Sequence, residues 1–387
     1  MRLLLCWLTL LISANLLPAQ HRSLTAQELR LHQIQMVGTH NSYHVAPAPD
    51  LLQTIRLLAP DIADAIDYTH RPLAEQFDRG IRQIELDLFA DSHGGLFATP
   101  VGHRALRQSD PSAAERETVL LNRLQSPGMK IIHSPDFDYR TTVATLHEAL
   151  QQVRNWSQQH PNHVPILILL ELKETVHGPA VVRPLAFNAQ LLDAVDAEIH
   201  AVFAAPHRLV PDDIRGEKAT LREAIFHQGW PPLSKCRGKA WFALDNEDHL
   251  RELYLAGRPN LAGRAMFVSV DPQHPAAAFQ KLNDPVRNFA QIQAAVRSGL
   301  IVRTRADADT RQARQNDPTR RDRAFASGAQ YISTDYPEPD ARFSDYRVQL
   351  PGNAPFRVNP LHSFPPPSAF KQRPTKPQSG HWKAITD

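Results

Sequence analysis

Short apolar runs recur along the chain, separated by stretches with helical spacing. They are IQMVGT (34–39), RQIELDL (82–88), MKIIH (129–133), PILILLE (165–171), AWFAL (240–244), MFVSV (266–270), LIVRT (300–304) and QYIST (330–334). Runs this apolar predict strands buried on both faces, as in a parallel sheet. Between them, residues 142–159 and 286–299 place apolar side chains at helical spacing, and Gly299 is a natural helix stop. Strands alternating with helices predict an α/β fold. Eight such strands predict a single (β/α)8 TIM-type barrel; a doubly wound open sheet is the alternative.

Polar residues cluster where the runs end. His40 and Asn41 follow the first, Glu85 and Asp87 lie on the second, His133 ends the third and Glu171 the fourth. Asp245 follows the fifth, Asp271 the sixth, Arg303 and Arg305 close the seventh, and Asp335 follows the eighth. In a barrel these ends meet on one face, where active sites are built.

Composition narrows the class. The 387 residues are 42% hydrophobic and 21% charged, enough for a sizeable core, and the net charge is only +3. The basic run RQNDPTRRDR (314–323) reads as a solvated helix face, so no nucleic-acid partner is expected, and no obligate protein partner is evident. The opening segment MRLLLCWLTLLISANLLPAQ has one early positive charge, an apolar run and then small residues. This predicts a signal peptide over 1–19 and a secreted or periplasmic protein, with an uncleaved anchor as the alternative. Cys6 would leave with that segment and Cys236 would stay unpaired, so no disulfide framework is expected. The barrel is expected over 24–360, and a Pro-rich, disordered tail over 361–387.

The chemistry starts with Glu85 and Asp87. Two apart on a strand, they project to the same side, and two inward carboxylates repel unless a cation or protons intervene. With the Asn41 amide oxygen and Glu171 they form an all-oxygen set suited to Ca2+ or Mg2+ rather than zinc. Alone, E-x-D is more often a solvated or salt-bridged pair. His40 and His133 stand out among 19 histidines because each falls at a predicted strand end. Across a phosphate, one accepting and one donating a proton, two histidines can cleave a phosphodiester. His44, His93 and His103 are rivals for the second role.

The segments GTHNSY, GIRQIELDLFAD, KIIHSPDFDYRTTVATLHEAL and PILILLELK occur in the order and spacing of the phosphatidylinositol-specific phospholipase C barrel. With GLIVRTRADADT (299–310) and SGAQYISTDYP (327–337), the chain resembles the secreted, calcium-dependent bacterial and fungal branch over roughly residues 30–360. The resemblance implies Asn41, Glu85, Asp87 and Glu171 as Ca2+ ligands, and His40 and His133 as catalytic. It implies attack of the inositol 2-hydroxyl on phosphorus, release of diacylglycerol and a cyclic inositol phosphate. His133 would protonate the leaving glycerol oxygen; His40 would support the transition state or act as base, and Glu85 is the other candidate base. Lys173, Arg305 and Tyr336 are weaker candidates for phosphate or inositol contacts. The substrate would be phosphatidylinositol at a membrane surface, met by rim loops, with 133–141 and SKCRGKAWF (234–242) as guesses. A glycerophosphodiester phosphodiesterase and a non-catalytic lipid-binding barrel are the other readings.

Overall fold

The computed structural model describes residues 29–176 and 181–362. The expected signal peptide and most of the Pro-rich tail therefore lie outside the described residues.

Eight parallel strands form a ring. We number them β1 (Ile34–Thr39), β2 (Gln83–Phe89), β3 (Ile166–Leu172), β4 (Ala240–Leu244), β5 (Met266–Val268), β6 (Phe279–Lys281), β7 (Ile301–Arg305) and β8 (Tyr331–Thr334). Ladders join β1 to β2, β2 to β3, β3 to β4, β4 to β5, β6 to β7, β7 to β8 and β8 back to β1. A single parallel bridge, Ser269 to Phe279, closes the ring between β5 and β6. The fold is thus the TIM-type barrel that the alternation of strands and helices predicts.

Two strand assignments need correction. The predicted third strand, 129–133, is not in the ring: Lys130–Ile131 pairs antiparallel with Leu88 and Phe89 at the outgoing end of β2. A short apolar run does not reveal its direction, and this one is buried beneath the long β2 connection. The missing ring strand is β6, only three residues long, two of them polar. Its residues Gln280 and Lys281 break the apolar pattern that marks the others. Asp271, in the β5–β6 link, is exposed.

Elsewhere local chemistry explains the elements. All of ILILLEL in β3 except Glu171 is buried, as a strand between barrel interior and helix layer must be. The helix Leu146–Gln159 begins where the Thr145 hydroxyl accepts the Glu148 N–H. The helix Phe289–Arg297 stops at Ser298, followed by Gly299 at φ +91°, a conformation glycine adopts without strain. The basic run is less solvated than expected. Arg314 lies over the Phe343 ring, and Arg320 donates to the Arg305 and Asn283 carbonyls.

Inside the ring, Trp241 of β4 reaches across to Tyr331 of β8, its indole N–H donating to the phenol oxygen at 3.0 Å. Trp230, Phe267 and Phe279 pack around it. This aromatic plug makes the barrel a packed core with a floor, so polar chemistry is confined to the carboxyl-end mouth. Gly38 of β1 faces the Gln83 side chain so closely that a Cβ would lie 2.0 Å from its Oε1. Cys236 is buried and free.

Candidate active site

The first turn of the mouth is docked on β2. Ser42 N–H donates to the Glu85 carbonyl at 2.9 Å, and its hydroxyl accepts the Glu85 N–H at 2.8 Å. Thr39 and Gln76 tie the same turn from below. His40 N–H continues the β8 ladder by donating to the Thr334 carbonyl at 3.0 Å. The turn therefore fixes His40 beside β8 and Asn41 beside β2. Asn41 sits at φ +43°, a left-handed conformation that asparagine tolerates better than most residues.

The carboxylates meet through register. Asp87 lies directly opposite Glu171, and Glu85 is two residues earlier on the same side of β2. Oxygens of Glu85, Asp87 and Glu171 lie within 4.8 Å of one another. The buried Asn41 Oδ1 and Asp87 Oδ1 have no hydrogen-bond partner among the described residues. Lys173 is the counter-charge, its Nζ 2.8 Å from Glu171 Oε1 and 3.1 Å from Asp87 Oδ2. Glu85 is bound by the Arg303 guanidinium. Burial pushes the Glu85 carboxyl up to about 8, with Arg303 opposing and Asp245 and Glu171 adding to the rise. Burial and Asp87 likewise raise Glu171, against Lys173. Crowded hard oxygens, two of them buried and unpartnered, make a donor set that suits a hard cation such as Ca2+.

The two histidines border this cluster and are shifted in opposite directions. His40 Nδ1 lies 2.7 Å from Asp335 Oδ1, and its Nε2 is 3.7 Å from Glu85 Oε1. Burial, then Arg305, lowers His40 to about 3 despite Asp335, so it is neutral at neutral pH. Asp335 stays well below the usual carboxylate range: burial works against this, but His40 and Arg305 prevail. With an ionised Asp335 accepting the Nδ1 proton, the His40 Nε2 lone pair is free. His133 is the opposite case. Its Nδ1 lies 2.7 Å from Asp138 Oδ2. Burial works to lower it, but Asp138 and Asp87 hold it above the ordinary histidine value. Although its strand is not in the ring, the antiparallel pairing with the outgoing end of β2 carries His133 to the mouth.

Among the weaker candidates, Lys173 is within the carboxylate cluster and Arg305 reaches Asp335 at 3.2 Å. Tyr336 is placed differently. Its ring is buried against Phe343 and Tyr346, and no hydrogen bond joins it to the histidines or carboxylates. Of the rival histidines, His44 is buried behind His133, and His103 Nε2 lies 3.1 Å from the Ala114 carbonyl.

Sequence reasoning assigned no role to Asp138, the orienting partner of His133, or to Arg303, the partner of Glu85. Asp335 is noted only as a strand-end residue. A carboxylate five residues after His133 in HSPDFD was the available signal for Asp138. For Arg303 the signal was its place on β7, two residues before Arg305, so that both point into the barrel.

A profile of the family described as Ca2+-dependent phosphoinositide phospholipase C matches residues 29–360. Among curated proteins, none matches significantly. Among solved structures, a calcium-dependent phosphoinositol-specific phospholipase C from Pseudomonas sp. superposes with a TM-score of 0.53 at 15% identity. That match covers 86% of this chain and 96% of the other. Its myoinositol complex gives a TM-score of 0.52 at 15% identity, with the same coverage. A Ca2+-dependent enzyme from Streptomyces antibioticus gives 0.48 at 16% identity, covering 79% of this chain and 94% of that one. At 15% identity the two Pseudomonas matches speak to the fold; the profile, spanning most of the chain, speaks to kinship. The chain belongs to the family of Ca2+-dependent phosphoinositide phospholipases C.

Proposed function

We propose that this enzyme cleaves the glycerol–phosphate bond of phosphatidylinositol by attack of the inositol 2-hydroxyl, releasing diacylglycerol and a cyclic inositol phosphate. The observation that carries the reading is a pair of histidines beside one carboxylate cluster, each held through Nδ1 by its own aspartate and shifted in opposite directions by its surroundings. Separated acid and base states are what proton transfer at both ends of a phosphodiester requires.

The roles follow from the ring nitrogens. Asp335 holds His40 by Nδ1, so the Nε2 lone pair takes the proton of the attacking hydroxyl. Asp138 holds His133 by Nδ1, so Nε2–H delivers a proton to the departing glycerol oxygen. Glu85 is bound to Arg303, which leaves His40 the better placed base. Asn41, Glu85, Asp87 and Glu171 would hold the Ca2+ ion. When bound, the ion supplies positive charge against the phosphate oxygens and acidifies a coordinated hydroxyl. Lys173 and Arg305 line the same mouth and supply further cationic contacts. The cyclic product then either leaves or is opened by water through the same two histidines in exchanged roles.

A phosphorus NMR time course on phosphatidylinositol tests the reading. The expected result is a cyclic phosphodiester signal growing as diacylglycerol accumulates, only when Ca2+ is present. Cleavage of glycerophosphoinositol with phosphatidylinositol untouched would identify a glycerophosphodiester phosphodiesterase instead. No turnover of either, with lipid still bound, would identify a lipid-binding barrel.

The substrate sits in a membrane, so the mouth must approach one. Neither guessed loop offers an apolar surface there. Ser234–Lys239 precede β4 and so lie at the opposite end of the barrel, and in 133–141 Asp136, Asp138 and Tyr139 are buried. Some of the exposed apolar side chains lie in other connections that leave the mouth. Leu57 and Leu58 are 81% and 83% exposed and Ile62 is 49% exposed, all between β1 and β2. Val181 is 70% exposed, between β3 and β4. Leu57 and Leu58 close the helix Pro49–Leu58, which is anchored by Arg56 to Asp64 and Asp67. We infer that this rim inserts into the bilayer interface. A Leu57→Ser/Leu58→Ser variant should bind phosphatidylinositol vesicles about tenfold or more weakly, since each leucine contributes about 1 kcal/mol or more when withdrawn from water. Its turnover of a soluble short-chain substrate should be unchanged. Unaltered vesicle co-sedimentation would assign the membrane face elsewhere. Export of the enzyme is the corresponding reading of the apolar N-terminus.

A further inference from the structure

Behind His133 lies a histidine for which the reaction above has no use. His44 is fully buried, stacked on the Tyr68 ring at 4.4 Å and edge-on to His133 at 5.6 Å. Its Nδ1 is 3.0 Å from the Tyr68 carbonyl oxygen. Its Nε2 is 2.9 Å from both oxygens of Asp138. A carbonyl and an ionised carboxylate only accept hydrogen bonds. A singly protonated His44 would therefore point a lone pair at one of them, inside a buried site where such a contact is costly. Protonating Asp138 instead is disfavoured. Burial would raise its carboxyl, but His44 and His133 hold it well below the usual range.

We propose that His44 is a positioning residue: a buried, doubly protonated imidazole that fixes Asp138 and offsets its charge, so that His133 remains an effective acid. The inference rests on His133 being the general acid. Asp138 must do two things that conflict. It must lock the His133 ring through Nδ1, but a full negative charge there would hold the acidic proton too tightly to give it up. A second cation on the far side of the same carboxylate resolves the conflict, because the lock is kept while the field at His133 is reduced. The other charged groups facing His133 are Asp87 from β2 and Lys173 beyond β3, which act in opposite directions. His44 also faces Tyr68 and, more remotely, His70 in the connection after β1.

Two substitutions should move the alkaline limb of kcat/KM in opposite directions. In His44→Gln a neutral amide can still donate to Asp138, but the charge is gone. His133 then holds its proton more tightly, and the limb should move up by about one pH unit, as expected for one charge lost at this range. In Asp138→Asn the negative charge goes, and the limb should move down by a similar amount, about one unit. Simple loosening of the site would lower kcat without an upward shift. Nitrogen-15 NMR of the wild-type imidazoles gives a measurement that needs no variant to fold and no turnover. Both His44 nitrogens should carry the protonated signature at neutral pH, with or without substrate. An unprotonated His44 nitrogen there, or a His44→Gln limb that stays or moves down, overturns the proposal. A wild-type enzyme that fails to cleave phosphatidylinositol would refute the assigned reaction instead, and the nitrogen spectrum would still decide the state of His44.

Discussion

Replacing His133 with alanine should lower phosphatidylinositol cleavage about a thousandfold, within the range a lost general acid ordinarily costs. The glycerol oxygen departs as a strongly basic alkoxide unless it is protonated, so the loss must depend on the leaving group. With a substrate whose leaving group is an acidic phenol, the proton matters little, and His133→Ala should recover most of its activity. His40→Ala should behave differently, because the inositol hydroxyl must still lose its proton whichever group leaves. Its loss should be similar on both substrates. The paired comparison therefore separates the two histidines by role, where activity on one substrate would only show that both matter. Equal losses on both substrates for His133→Ala would remove it as the acid. The structure gives the physical basis for the asymmetry: Asp138 and Asp87 hold His133 above the ordinary histidine value, whereas burial and Arg305 hold His40 near 3. Activity should fall as pH rises through the elevated His133 value, because the acid form is lost there. His40, already neutral far below that range, imposes no limit near neutrality.

What the sequence made legible follows from where information is local. β2 and β3 are visible as runs because both of their faces are buried, and their carboxylates stand out against that background. The meeting of Asp87 with Glu171 is then a matter of parallel register, and any barrel with those strands adjacent would produce it. β6 is not legible: its three residues are apolar, amide and cationic, because Lys281 turns into the mouth to reach Asp245 at 2.7 Å. Its strand character comes from its neighbours. The direction of 130–131 is hidden for a similar reason, since an antiparallel pair and a parallel one use the same apolar residues. The orienting partners are the least legible. Asp138 and Asp335 look like ordinary loop acids after a histidine or a strand. Their meaning lies in distances of 2.7 Å to His133 and His40 that only the folded chain creates. Tyr336 shows the converse, a polar residue in a motif-like stretch whose ring the fold packs against Phe343 and Tyr346.

Removal of Ca2+ should abolish turnover, and the protein alone should report the loss. Without a divalent cation, Glu85, Asp87 and Glu171 face one another with Lys173 and Arg303 as their nearest cations, and Glu85 is pushed toward its neutral form. A bound cation would engage the unpartnered oxygens of Asn41 and Asp87, so it should stabilise the fold as well as the reaction. At a hundredfold excess over its dissociation constant, that stabilisation is about 2.7 kcal/mol, a shift of several degrees by calorimetry. Chelation should reverse the shift and the activity together, and added Ca2+ should restore both. Asp87→Asn is the sharpest variant. It keeps the size and one carbonyl oxygen but removes the charge, and it frees Lys173 to pair with Glu171 alone. The thermal shift with Ca2+ should shrink, and the Ca2+ concentration needed for half activity should rise at least tenfold, the weakening expected where a hard cation loses a charged oxygen ligand. Asn41→Asp works the other way on charge. It adds a fourth carboxylate to a buried cluster in which burial, with neighbouring carboxylates, already raises Glu85 and Glu171, so Ca2+ should bind it more tightly while the ion-free protein melts lower. Activity that survives chelation, with melting indifferent to Ca2+ in all three proteins, would show that Lys173 and protons alone balance this cluster and that the four oxygen donors serve some end other than calcium.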